Sequence, residues 1–196
     1  MLREIDKNIW VAEQPLKYFG LSVGTRMTVI RLANSELVVI SPIQVDSETI
    51  HQLNDIGDVS HIIAPNLYHY LFASNFKNIY PKAIFCAVPG LESKRPKLNI
   101  ARIIQDKNSF LDEVEYLLFD GFRTFTLSGF SLLNECVFFH LESHTLVLTD
   151  TSVNFDESFP PLTQLAARVI GGYKNLRVCQ EISVTSYCLI CCGEIV

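Results

Sequence analysis

Apolar and polar positions along the chain fall into short runs with two different periods. Asn8–Gln14 alternates loosely around the single tryptophan, Trp10, and predicts an opening strand. Thr25–Leu32 and Glu36–Ser41 flank the polar turn Ala33-Asn34-Ser35, a hairpin signal. Ser41-Pro42-Ile43 then ends the ladder, since proline has no N–H to give it. Asp46-Ser47-Glu48 ahead of Ile50, Leu53 and Ile56 predicts a capped amphipathic helix stopped by Gly57. Val59–Ala64 is nearly continuous apolar text, as in a strand covered on both faces. Leu71, Phe72, Phe76 and Ile79 are spaced for a helix over Tyr70–Ile79 that ends before Pro81. Ala83–Val88 is the next strand, and Pro89-Gly90 turns the chain.

The stretch from Val59 to Phe72 organises the rest. A buried strand ends in Pro65-Asn66, and a polar–aromatic cluster follows where a helix can begin. The carboxyl edge of such a sheet is the usual place for a site. From Leu91 to Ser109 the text is basic and irregular and predicts a solvated surface loop. Strand-like runs follow at Val114–Phe119, Arg123–Leu127, Glu135–Leu141 and His144–Thr149, the last of them expected to be buried. Glu142-Ser143 joins the final two as a second hairpin, and Leu162–Ile170 predicts a helix ending at Gly171-Gly172. Strands with helices packed outside them define a layered α/β sandwich. With 196 residues and no repeats or Gly/Ser linker, one domain accounts for the chain.

Composition narrows the partners. An apolar fraction of 48% with 13 Phe favours a well-filled core over disorder. Net charge is −5 with no run of Lys or Arg, which argues against a nucleic-acid partner, because phosphate needs a concentrated basic face. No segment reaches the roughly 18 apolar residues that span a bilayer, and Met1–Asp6 lacks the apolar core of a signal peptide. No membrane partner is expected, and the expected compartment is the cytoplasm. The six cysteines then read as reduced. Cys188-x-x-Cys191-Cys192 has no second Cys/His pair at zinc-knuckle distance and reads as small apolar side chains. Neither a Gly-x-Ser-x-Gly elbow, a Walker loop nor a dinucleotide fingerprint is present.

Three places line up: Leu37–Ile43 before a helix, His61–His69 after it, and His144–Asp150 late in the chain. Their spacing resembles the metallo-β-lactamase fold, an αββα four-layer sandwich with two metals at one edge. Ala64-Pro65-Asn66 with His69, Tyr80-Pro81, Pro89-Gly90-Leu91 with Lys94-Arg95, and Glu135-x-Val137-Phe138-Phe139-His140 before Thr149-Asp150 and Asn154 resemble an uncharacterised branch, domain of unknown function 4336. The resemblance covers residues 1–182 as one domain, with its C-terminal part shortened and 183–196 a divergent tail.

The fold implies a His-x-His-x-Asp-His run binding zinc or iron, with imidazoles that leave one position open for an activated water. Here that place reads Asn66-Leu67-Tyr68-His69-Tyr70, with Tyr68 and Tyr70 where a His and the Asp would stand. The bridging Asp falls at Asp150, a third-site His is missing near Ser131–Asn134, and Cys192 takes the slot of the last His. His69 and Asp150 are the remaining metal candidates, with Asn66, Tyr68, Asn134, Glu135 and Cys192 as neighbours.

The hairpin itself adds to this. With Glu142-Ser143 at its turn, His140 pairs with Thr145 and stands about 17 Å from Asp150, at about 3.4 Å per residue. Glu135 is the residue opposite Asp150, and their proximity would raise one carboxyl pKa. His51 reads as a residue of a polar helix face and His61 as the start of a strand. The expectation is therefore a hydrolase by descent with a degenerate metal site. It would bind a small ligand or a protein without catalysis and need no cofactor. The alternative is a metal-dependent hydrolase, with zinc or iron at an unconventional site around His69 and Asp150.

Overall fold

The computed structural model of the chain describes residues 1–18, 20–105, 108–119, 123–126, 129–170, 172–175 and 177–178. In chain order the strands begin with β1 (Arg3–Asp6), β2 (Ile9–Gln14), β3 (Lys17–Tyr18), β4 (Leu21–Ser22), β5 (Thr25–Arg31) and β6 (Glu36–Ile40). Helix α1 (Ser47–Ile56), β7 (Asp58–Ala64), α2 (Ala73–Ile79), β8 (Ile84–Ala87), α3 (Leu91–Lys94) and β9 (Arg102–Ile103) follow. Then come β10 (Asn108–Phe110), β11 (Val114–Phe119), β12 (Arg123–Thr126), β13 (Gly129–Leu132), β14 (Glu135–His140) and β15 (Thr145–Val147). The last elements are β16 (Ser152–Val153), α4 (Pro161–Ile170) and β17 (Arg177–Val178).

Seven strands form one sheet in the order β1-β2-β5-β6-β7-β8-β9. The pairs from β1 to β6 are antiparallel and those from β6 to β9 parallel. A second sheet, β10-β11-β14-β15, is antiparallel throughout. Helices α1 and α2 pack on β7. One continuous core joins Ile30, Val39, Ile62 and Phe85 of the large sheet to Val114, Tyr116, Cys136 and Phe138 of the small one. The expected strand at 59–64 is buried as its unbroken apolar text demands, with Ile62, Ile63 and Ala64 fully covered.

Helix α1 follows from its ends. Asp46 accepts the Thr49 N–H at 2.8 Å, which satisfies one of the unpaired donors of the first turn. At the other end Gly57 is required by space, since a Cβ there would lie 2.3 Å from the Ser35 carbonyl oxygen. Gly57→Ala is expected to cost about 1–3 kcal/mol by forced displacement of the β5–β6 turn. Urea unfolding checks this, and an unchanged midpoint would show that the turn yields freely.

Three expectations need correction. Of residues 144–149 only Thr145–Val147 pair with β14 as a strand, and Leu146 is 49% exposed against 8% for Val147. As the outer strand of the small sheet β15 keeps one face in water, so it alternates. Helix α2 begins at Ala73, not Tyr70, and a turn closed by Ala73 N–H to Tyr70 O at 3.0 Å precedes it. The basic stretch 91–109 is also more than a solvated loop. Leu91 is fully buried in α3, and β9 extends the parallel sheet through Ala101 N–H to Phe85 O and Ile104 N–H to Ala87 O.

Candidate functional site

The site forms where the carboxyl end of β7 meets the start of β14. Two backbone bonds join them: Cys136 N–H to Pro65 O at 2.7 Å, and Leu67 N–H to Leu133 O at 3.1 Å. Between them Asn66 is completely buried. Its Oδ1 accepts the N–H groups of Tyr68 (2.8 Å) and His69 (2.9 Å), a turn closed by a side chain in place of backbone. That pair of donors fixes which way the amide points. Nδ2 must face the other way, and it donates to Asp150 Oδ2 at 2.8 Å, to Thr149 Oγ1 at 3.2 Å and to Glu135 Oε2 at 3.5 Å.

Glu135 is the first residue of β14 and also fully buried. It lies across from Asp150 as the hairpin register demands, which continues from His140↔Thr145 to Phe138↔Val147. The contact is closer than cross-strand adjacency, because the carboxylate accepts the backbone donors at the end of the partner segment. Those are Thr149 N–H (2.8 Å), Asp150 N–H (2.7 Å), Thr151 N–H (3.0 Å) and the Thr151 hydroxyl (2.8 Å). Burial, and after it the Asp150 carboxylate, push the Glu135 carboxyl above the ordinary glutamate range, against the pull of these donors.

Asp150 is also held by His69, whose Nε2 stands 3.3 Å from Oδ1, with side-chain exposures of 9% for the imidazole and 1% for the carboxylate. The far ring nitrogen, Nδ1, is 2.6 Å from Ser41 Oγ. Ser41 escaped the sequence reading as a site residue, because a serine before a proline at a strand end signals only the end of the ladder. Two cavities, of about 190 and 270 Å3, flank this chain and share Val23, Thr25, Ser41 and His69 in their walls.

Of Asn66, His69, Asn134 and Asp150, expected from the sequence to approach one another, Asn66 and His69 both reach Asp150, across 84 positions of chain in the case of Asn66, and Glu135, expected opposite Asp150, lies beside them. Asn134 is adjacent but turned aside. It sits at φ 42° and donates to Pro89 O at 3.2 Å, while its buried Oδ1 finds no partner among the described residues. Tyr68 lies along the larger cavity with Lys94 Nζ 3.6 Å from its ring centre. The same ammonium donates to Leu67 O at 2.8 Å, and its pKa is lowered by burial and then by Arg95. Cys192 and the tail 183–196 lie outside the described residues. His140 bonds Ser143 at the far end of the hairpin, and His51 is exposed on α1, so neither joins the site.

A metal ion fits this donor set poorly. Among the described residues no three His, Cys, Asp or Glu side chains gather as ligands. Glu135 has both oxygens engaged by protein donors, and the atom Asn66 turns to the carboxylates is an amide nitrogen, a donor with no lone pair to offer. His69 and Asp150 are left as two ligands where a catalytic zinc takes three.

The architecture is that of the metallo-β-lactamase fold. Similar solved structures include the DIM-1 metallo-β-lactamase exposed to ceftazidime, at 14% identity and TM-score 0.57, covering 74% of this chain and 67% of that one. The metallo-β-lactamase IND-7 matches at 11% identity and TM-score 0.57, covering 79% and 72%. A metallo-β-lactamase from Hirschia baltica matches at 9% and 0.54, covering 74% and 68%. At such identities the likeness is one of fold. Within that fold the chain belongs to the family described as Domain of unknown function (DUF4336), whose profile matches residues 6–181. No curated protein matches it in sequence.

Proposed function

We propose that this chain binds a small, largely apolar molecule in the cavities beside His69, without a metal ion. The observation that carries the reading is the Asn66 amide, locked by two backbone donors so that its NH2 meets the Asp150 and Glu135 carboxylates where a cation would otherwise be required. Protein hydrogen bonds thus meet the negative charge that metal ions balance in dinuclear sites of this fold. Beside it, cavities of about 190 and 270 Å3 suit a ligand below drug size. Leu16, Val23, Leu71 and Phe72 offer the apolar lining, and Ser41, Thr25 and His69 offer polar contacts.

Titration with octanamide, followed by heteronuclear NMR, tests this. Amide shifts are expected to centre on Val23, Thr25 and Ser41, and Val23→Trp, which fills the wall common to both cavities, is expected to weaken binding at least tenfold. Shifts that are absent, or that persist unchanged in Val23→Trp, would remove the small-molecule reading.

A second reading, a zinc- or iron-dependent hydrolase around His69 and Asp150, is favoured by one feature. Their nearest atoms, 3.3 Å apart, are spaced as two ligands of one ion can be. It needs a third protein ligand that the described residues do not supply. We place the protein in the cytoplasm, a reading supported by the free, buried thiols of Cys86 and Cys136. Burial pushes the Cys86 thiol up to about 11. Among the described residues no helix is long and apolar enough to cross a membrane.

A further inference from the structure

Ser41 follows β6 directly, at the carboxyl edge of the large sheet, and is 2% exposed. Its φ of 55° lies in the left-handed region, a strained conformation for a non-glycine residue. The conformation is held by its N–H, which donates to Ile63 O at 2.9 Å. It brings Oγ to 2.6 Å from His69 Nδ1, while Nε2 of the same ring faces Asp150 Oδ1 at 3.3 Å. A carboxylate can only accept, so the ring hydrogen belongs on Nε2, and the Nδ1 lone pair is left facing the serine hydroxyl. A hydroxyl, a base and a carboxylate that orients the base thus stand in line, with the two ring nitrogens in the reverse of their usual roles. Both Ser41 and His69 line the two cavities.

We propose that Ser41 is a nucleophile that takes an acyl group from a small apolar carboxylic ester. This rests on the small-molecule reading above and names its ligand class. The Oγ lone pair forms a bond to the ester carbonyl carbon, and the hydroxyl proton passes to His69 Nδ1. The bond from that carbon to the alkoxy oxygen then breaks with its electron pair, and the leaving alkoxide takes the proton from His69 as an alcohol. The products are an acyl-Ser41 ester and the free alcohol, with no oxidant, reductant or metal required.

Asp150 is a positioning residue that sets the tautomer of His69. Val23, Leu71 and Phe72 give the acyl chain its apolar wall. The residue after the nucleophile is Pro42, which has no N–H to stabilise an oxyanion from that position. Acylation and release of the acyl group both pass through such an oxyanion, so both are expected to be slow, and the test reads modification of the protein in place of turnover.

The test treats the full-length chain with an alkyl fluorophosphonate, in which the serine oxygen bonds to phosphorus and fluoride leaves. Intact mass and peptide mapping are then read. One equivalent on Ser41 is expected, none in Ser41→Ala, and a rate lowered about a hundredfold in His69→Gln. Asp150→Asn should slow labelling while octanamide affinity stays within about twofold, a split that general loss of structure does not produce. No adduct, an adduct mapped to another residue, or a rate unchanged in His69→Gln overturns the proposal. Octanamide titration of the same wild-type sample separates the two ideas. Binding without an adduct defeats the acyl proposal alone, and no binding at all defeats the small-molecule reading beneath it.

Discussion

Glu135→Ala is expected to lower the unfolding free energy by about 3 kcal/mol, because it leaves the buried N–H groups of Thr149, Asp150 and Thr151 without their acceptor. Each such donor costs about 1–3 kcal/mol when unpaired, and the relief of repulsion with Asp150 returns part of the sum. Glu135→Gln keeps the shape but turns an NH2 toward these donors, so an intermediate loss is expected. The pH dependence carries a definite sign. Burial and Asp150 raise this carboxyl above its ordinary value of 4.5 in the folded state. Its contribution is therefore full below about pH 4.5 and is lost as pH rises through the raised value. The difference in stability between wild type and Glu135→Gln should shrink along that rise. Urea midpoints measured from pH 4 to 8 check both points. A loss under about 1 kcal/mol for the alanine variant would mean that the segment 149–151 is held by something else.

Asn66→Asp tests the amide as a substitute for a cation. The change keeps the oxygen that accepts from Tyr68 and His69, but puts a third carboxyl where Nδ2 now donates to Asp150. A buried, uncompensated charge of this kind costs about 3–5 kcal/mol, less whatever protonation relieves. A loss in that range is expected at pH 7, with part of it recovered on adding millimolar Zn2+ or Mn2+, read as a rise in melting temperature. Asn66→Asp as stable as wild type and indifferent to both ions would show that the amide does not take the place of a cation.

Much of this was legible in the chain, for identifiable reasons. The runs at Leu37–Ile40 and Ile62–Ala64 are unbroken, so only strands covered on both faces could hold them. Asp46 and Gly57 marked both ends of α1. The His140–Thr145 register, read from one turn, carried Glu135 to Asp150.

Side-chain capture of backbone was not legible. Nothing in Asn66-Leu67-Tyr68 says that the amide oxygen will take two N–H groups. Ser41 was equally silent, because a positive φ at a serine depends on distant neighbours, and His69 lies 28 positions away. Strands of two residues, such as β3, β9 and β16, are too short to show a period.

The metal content of the chain, purified without a His-tag or chelator and measured by elemental analysis, bears most directly on a site closed by its own hydrogen bonds. Zinc and iron well below one equivalent are expected, with a melting temperature unmoved by added chelator. Near-stoichiometric zinc or iron, lost on Asp150→Ala or His69→Ala, would contradict this and restore a metal-dependent hydrolase.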